Sequence, residues 1–381
     1  MKINYGRQYI DNSDIRSVSK ALKQELITTG ETVKLFEKSL KNFLNTKNVL
    51  TCNSGTSAIF LALLALNLRK NANVIIPAIN FVAAANLCNH LGYNVYFSDI
   101  ELSTGQISVE KVTECIKKNK LKKIDLIFTM HLGGSPEQVV EIFKLKKKLK
   151  CFVIEDACHS LGATYIHNKK KYFVGNAKHS DLSTFSFHPL KTITTGEGGA
   201  ISTQNNIIAK RIAQLRSHGF VNKKGISYDI KSAGFNFRLS DINCALGLSQ
   251  IKKINKLLKY RRSIFKYYLK HLDGYKKIIH VLNKNYRNSS CHLAIIRIKF
   301  SKLKISKQEF FLLLKKKGII CQYHYIPQYQ FSLYKKKEKL KNSQIYFNNH
   351  ISLPIHLMIN NQKLKYIILQ IKNIIKKNLF K

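Results

Sequence analysis

From about residue 50 the apolar residues fall into segments that alternate between helical spacing and short extended runs, and this alternation constrains the fold more than any other feature of the chain. Ala58 to Leu68 is spaced as an apolar helix, Val74-Ile75-Ile76 as a strand ended by Pro77, Ala83 to Leu91 as a helix, and Val95-Tyr96-Phe97 as a strand running to Asp99. Ile124 to Thr129, Cys151 to Ile154, Leu182 to Phe187 and Ala200 to Ser202 read as further strands, with a helix from Pro136 to Lys150 opened by its proline. Strands that alternate with helices imply a mainly parallel sheet covered by helices, a wound α/β core.

Past residue 205 the pattern becomes helical, and one long helix is expected from Ser240 to about Lys270, leading from a large domain (1–250) into a smaller α+β domain (251–381). In the second part His292 to Phe300 reads as a strand. Ser306-Lys307-Gln308-Glu309 is a capping box opening a helix that stops at Gly318. Ile319 to Pro327 reads as extended, and Leu364 to Ile375 as a terminal helix.

Open α/β sheets bind ligands outside the carboxyl ends of their strands, so polar residues there are the candidates for chemistry. Asp156 closes the run Cys151-Phe152-Val153-Ile154-Glu155, and Lys191 lies in Phe185-Ser186-Phe187-His188-Pro189-Leu190-Lys191-Thr192-Ile193-Thr194-Thr195-Gly196, a setting unlike the solvated surface of the other lysines. A pyridoxal phosphate enzyme requires such a pair: an amine to hold the aldehyde covalently and to carry protons, and a carboxylate to keep the pyridine nitrogen protonated. Lys191 and Asp156 are therefore the candidate catalytic residues. Glu155 is the rival acid, but period-two alternation sets it on the opposite face of its strand. Asn53-Ser54-Gly55-Thr56-Ser57 precedes the first core helix, where N–H groups and hydroxyls can receive a phosphate, although such residues also serve as a plain N-cap. Ser186 offers a further hydroxyl to the phosphate, and Phe81 can stack on the pyridine ring.

The net charge of +44 (65 basic minus 21 acidic residues) would suit a polyanion partner if it were clustered. It is spread along the chain and is almost all lysine, so specific nucleic-acid binding is not expected. The eight cysteines show no C-x-x-C spacing, which argues against a disulfide framework or a zinc site and for small core residues in a reducing compartment. No metal is expected. The start Met1-Lys2-Ile3-Asn4-Tyr5 lacks a signal-peptide core, and the longest apolar stretch, Ala58 to Leu66, is far short of a membrane span; the expectation is a cytoplasmic protein without a membrane partner.

Together these segments resemble the DegT/DnrJ/EryC1/StrS family of nucleotide-sugar aminotransferases. The resemblance covers nearly the whole chain, from Thr28-Thr29-Gly30-Glu31 through Glu155-Asp156-Ala157-Cys158-His159-Ser160 and the Lys191 run to Arg216-Ser217-His218-Gly219 and Gly234-Phe235-Asn236-Phe237-Arg238. It implies the type I fold of pyridoxal-phosphate-dependent transferases, aspartate-aminotransferase-like, with a seven-stranded sheet. It also implies pyridoxal 5′-phosphate as cofactor, bound by Ser54, Gly55, Thr56, Phe81, Asp156, His159, Ser186 and Lys191. In the family Asn236 reaches the phosphate from the second subunit of a homodimer with shared sites, and Arg238, Tyr323 and His324 lie near the sugar diphosphate.

The Phe-Ser-Phe-His-Pro run, His324-Tyr325-Ile326-Pro327 and Ser352-Leu353-Pro354 look most like the pseudaminic acid branch. That branch aminates C4 of a UDP-linked 4-keto-6-deoxy-N-acetylhexosamine with L-glutamate as donor. The alternatives are amination of a dTDP-linked 4-keto or 3-keto sugar and, in another class, a basic nucleic-acid-binding or non-catalytic cofactor-binding protein.

Overall fold

The computed structural model describes residues 2–222, 227–334 and 340–380. Its main sheet contains β1 (Asn48–Cys52), β2 (Asn73–Pro77), β3 (Asn94–Ser98), β4 (Leu126–Met130) and β5 (Phe152–Asp156); after a small hairpin, β6 (Thr164–His167) with β7 (Lys170–Phe173), it is completed by β8 (Leu182–Ser186) and β9 (Gly199–Thr203). The order is β1-β9-β8-β5-β4-β2-β3. Only β9 runs against its neighbours, so β1 to β5 and β8 point the same way.

Alternation within the strands builds a core on each face. Ile76, Phe128 and Ile154 pack on α3 (Gly55–Leu66) and its neighbour α4 (Ala83–His90). The adjacent Ile75, Ile127 and Val153 point the other way, onto α5 (Val109–Lys118) and α6 (Val139–Leu149). Burial on both faces explains why these strands read as unbroken apolar runs. The N-terminal α1 (Asn12–Ala21) and α2 (Glu31–Leu44) pack on α8 (Asp241–Lys252), with α7 (Asn206–Arg216) beside α3.

A second core surrounds a three-stranded antiparallel sheet, β12 (Ile279–Val281), β13 (Ala294–Ile298) and β14 (His350–Leu353). It is packed by α9 (Ile254–Leu272), α10 (Lys307–Lys316) and α12 (Asn361–Lys377), with α11 (Lys341–Asn349) alongside. Phe265, Tyr268, Ile296, Phe310 and Ile371 fill it, and Ile3 from the chain's start joins it through a bridge to Ile319. The Ser306–Glu309 capping box forms with both reciprocal hydrogen bonds, and Gly318 takes the left-handed φ of +75° that ends the segment.

Three expectations need correction. The helix expected from Pro136 begins at Val139, because Gln138 sits at φ +54° and turns its side-chain carbonyl to the Val109 N–H instead. The single helix expected from Ser240 to Lys270 is two: Lys253 leaves helical geometry at φ −106°, ψ 10°, and its ammonium is held by Asp11 at 2.7 Å and the buried Asp14 at 2.8 Å. Finally, the region after 205 is not all helical, since β10 (Phe220–Asn222) and β11 (Tyr228–Ile230) form a hairpin between α7 and α8.

Candidate active site

The carboxyl ends of β1, β2, β4, β5 and β8 converge on a cavity of about 380 Å³. Ser54, Gly55, Thr56, Phe81, Asp156, His159, Ser186, Lys191 and His324 all line it. Ser54 is the N-cap of α3: its hydroxyl accepts the Ser57 N–H at 3.0 Å, leaving the N–H groups of Gly55 and Thr56 at the open end of a twelve-residue helix whose dipole favours an anion. Gly55 is required by packing, because a Cβ there would stand 2.8 Å from Cβ of Ser186. Gly199, at the start of the reversed strand, likewise has no room for a side chain against the Ser54 carbonyl.

Neighbouring carboxylates at the end of β5 have opposite surroundings. Glu155 is buried and fully satisfied: its Oε1 accepts from His131 Nε2 at 2.8 Å, and its Oε2 from Ser183 Oγ at 2.6 Å and the Gly175 N–H at 3.0 Å. Burial alone would raise its pKa, but these donors outweigh it and hold the carboxyl below the usual range. Asp156 is equally buried and faces the cavity, accepting at 3.1 Å from the Cys158 N–H. Burial pushes its pKa up, and Cys158 and the Lys191 charge only partly oppose this.

Lys191 is half-buried in the loop after β8. Burial lowers its amine pKa, with Cys158 and Asp156 acting the other way and Arg261 adding to the decrease. Arg261, buried on α9, donates to the carbonyls of Leu190 at 3.4 Å and Lys191 at 3.5 Å, tying this loop to the second core. Facing it is a wall of uncharged rings. His159 Nε2 shares a hydrogen bond with the Tyr325 hydroxyl at 3.1 Å, and His324 bonds Ser352 Oγ at 2.9 Å and the Tyr5 hydroxyl at 3.3 Å. Burial drives the pKa of His159 far down and that of His324 to about 3, so both are neutral.

Three candidates fall outside the lining. Asn236 is exposed, its backbone bridged to Ser217, and Arg238 is half-buried. Tyr323 turns away, its ring 4.7 Å from that of Phe311 and capped by the Lys307 ammonium at 4.7 Å. Conversely Tyr5, Met130, Cys158, His188, Glu197, His292 and Tyr325 line the cavity without having been singled out. Cys158, His188 and Tyr325 sit inside the motif runs and could have been found by adjacency; Tyr5 and His292 carry no local signal. Cys158 also departs from the expectation that the cysteines are core residues, since the other seven are buried and it is not fully so. Among the described residues no cluster could hold a metal ion, and no helix is long and apolar enough to cross a membrane.

This donor set fits pyridoxal 5′-phosphate. A helix N-terminus with a cradle kept open by the missing Cβ of Gly55 suits the phosphate. A buried carboxylate whose pKa rises for want of a compensating charge suits a pyridine N–H. A lysine with depressed pKa lines the same space.

Comparison with known proteins agrees. The model of the DegT/DnrJ/EryC1/StrS aminotransferase family matches residues 8–372. The chain is 38% identical over 368 residues, 96% of its length and 95% of the relative's, to a UDP-4-amino-4,6-dideoxy-N-acetyl-beta-L-altrosamine transaminase of Campylobacter jejuni strain 81-176. Helicobacter pylori PseC, an aminotransferase involved in the biosynthesis of pseudoaminic acid, superposes with a TM-score of 0.89 at 31% identity, covering 99% of this chain and 100% of that one. The PLP-form of the putative sugar aminotransferase Spr1654 from Streptococcus pneumoniae superposes at 0.89 with 26% identity, covering 99% of both chains. A cavity that fits the cofactor at the strand ends and a family match over almost the full length lead to one conclusion: the chain belongs to the DegT/DnrJ/EryC1/StrS aminotransferase family and is a pyridoxal-phosphate-dependent enzyme.

Proposed function

We propose that the enzyme transfers the amino group of L-glutamate to C4 of a UDP-linked 4-keto-6-deoxy-N-acetylhexosamine, on the route to a pseudaminic-acid-type sugar. The observation that carries this reading is the meeting of Lys191, Asp156 and the Ser54–Thr56 cradle in one cavity, joined to extended similarity with a transaminase named for a UDP-linked 4-amino-4,6-dideoxy sugar, the kind of product that amination at C4 would form.

Pyridoxal phosphate, when bound, supplies an aldehyde that carries the amino group and a ring that accepts the electron pair released at the reacting carbon. Ser54, Gly55, Thr56 and Ser186 would hold its phosphate. Asp156 would keep the ring nitrogen protonated, and the new opposite charge would offset the cost of its own burial. His159 and Phe81 would form walls for the ring, and the neutrality of His159 avoids placing a second cation against it. Lys191, its amine kept in the unprotonated form by desolvation, would remove the proton from the donor's α-carbon and deliver it to the cofactor's aldehyde carbon.

The working unit is a homodimer with shared sites, in the cytoplasm. Supporting this, Asn236 and Arg238 lie outside their own chain's cavity, and large apolar side chains stand exposed on the N-terminal segment (Ile15, Leu22, Leu26, Ile27) and on the β10–β11 hairpin (Phe220, Tyr228, Ile230). His324 would meet the sugar nucleotide at the cavity, and Arg238 and Tyr323 would do so outside it, with Arg238 and Asn236 supplied by the partner subunit.

The substrate is tested by incubating the holoenzyme with L-glutamate and UDP- or dTDP-linked 4-keto sugars while following 2-oxoglutarate; preference for the dTDP sugar refutes the assignment. Shared sites are tested by mixing two inactive variants, Lys191→Ala and Arg238→Ala. Recovery of part of the activity is expected on subunit exchange, and none is recovered if each chain is self-sufficient.

A further inference from the structure

We infer that His292 is a positioning residue: its imidazole backs that of His159 and sets the plane that His159 presents to the cavity, so that the small-domain sheet braces the cofactor wall. This rests on the cofactor reading above.

The two rings lie with centroids 4.1 Å apart and planes at 37°, and both are almost completely buried. Burial drives the pKa of each far down, with Lys191 and His324 adding to the decrease at both and His159 adding to it at His292, so the contact joins two neutral rings in tilted packing. The other rings near His159 are more distant, Tyr325 at 6.2 Å and His324 at 6.3 Å between centroids. Tyr325 bonds its Nε2, while Nδ1 has no partner; Nδ1 of His292 is also without one. Hydrogen bonding therefore anchors one corner of the His159 ring, and its tilt is left to ring packing.

The backbone around His292, by contrast, is fixed at several points. Its N–H donates to the Gly133 carbonyl at 2.9 Å, its carbonyl accepts from Arg261 at 3.4 Å, and nearby Ser290 donates at 2.5 Å to the carbonyl of His159 itself. Gly134 has no room for a Cβ between Ser290 and that same carbonyl. The segment entering β13 is thus a rigid block set against a side chain that has only one hydrogen-bonded tether. Arg261 links the same block to the backbone of Lys191, so both sides of the cavity are referenced to one buried guanidinium.

The test compares His292→Ala, His292→Leu and His292→Phe in the holoenzyme. The readouts are the dissociation constant of pyridoxal phosphate and the visible circular dichroism of the bound cofactor, which reports how the ring is held. Loss of one aromatic contact should weaken cofactor binding about three- to tenfold in the Ala and Leu variants and reduce the dichroic band, whereas Phe should stay within about twofold of wild type. Leu fills the space without a ring, so it serves where Ala fails to fold. Wild-type affinity and dichroism in Leu or Ala, or loss in Phe as large as in Leu, overturns the inference. A wild-type protein with no cofactor band would instead remove the cofactor reading on which it stands.

Discussion

Adjacent carboxylates at 155 and 156 should fail in opposite ways when altered. Replacing Glu155 by Leu keeps the approximate size but strands the donors of His131, Ser183 and Gly175 in a dry interior. Each unmet donor costs about 1–3 kcal/mol, and breaking a buried charged network typically costs about 3–5 kcal/mol in total. Against an overall stability of about 5–15 kcal/mol, a loss of that size is readily seen in the midpoint of urea unfolding. Glu155→Gln should cost less, about 1–3 kcal/mol, because the amide can still accept from two of the donors and conflicts with the third. Asp156→Asn should behave differently. The pKa of Asp156 is raised by burial, so in the cofactor-free protein its ionised form opposes folding at neutral pH, an effect that grows as pH rises above 3.8 and saturates above the folded-state pKa. The Asn variant should therefore be as stable as wild type or more so without cofactor, while losing transaminase activity and the cofactor-induced gain in stability. Urea melts with and without pyridoxal phosphate, alongside the glutamate half-reaction, measure both. If Asp156→Asn unfolds as early as Glu155→Leu, or Glu155→Leu is stable yet cannot hold cofactor, the two faces have been misassigned.

Lys191→Ala should abolish both the near-visible absorbance of lysine-bound cofactor and its shift on adding glutamate; retention of either excludes Lys191 as the attachment point. Gly199→Ala should lower cofactor affinity and cost about 1–3 kcal/mol of stability through the clash with the Ser54 carbonyl, and a neutral outcome in urea melts would show that this junction can relax. Acid should destabilise the fold early. Burial holds His324 and His350 at a pKa of about 3 and His356 at about 4, against an ordinary 6.5, so the unfolded chain binds protons that the folded one refuses. Each group's contribution is complete above pH 6.5 and is progressively lost as pH falls from there toward the folded value. Unfolding free energies that stay flat from pH 7 to 5 would contradict this. Despite the charge of +44, DNA affinity should be weak and fall steeply with salt; tight binding to one sequence would overturn that expectation.

Much of the site was legible because its parts are local. Strand alternation alone separated Asp156 from Glu155, since successive side chains must leave opposite faces of a strand. Ser54 was legible as a cap because a polar residue before an apolar helical run satisfies the free N–H groups that every helix start exposes, and the Ser306 box because its two bonds span three residues. The wound sheet followed from the alternation of strand and helix, and the shared direction of β1 to β5 and β8 placed their carboxyl ends on one edge. What the sequence could not show depends on distance along the chain. Tyr5 and His324 meet across 319 positions and His159 and Tyr325 across 166, and no spacing rule connects residues that far apart. The pairing of His159 with His292, the tether from Arg261 to the Lys191 loop and the helix break at Lys253 each arise where one packed core is fitted against another. Local geometry is set by φ, ψ and side-chain period, which a sequence carries residue by residue; the neutrality of the ring wall and the depressed amine of Lys191 come from burial, which exists only once the whole chain has closed around them.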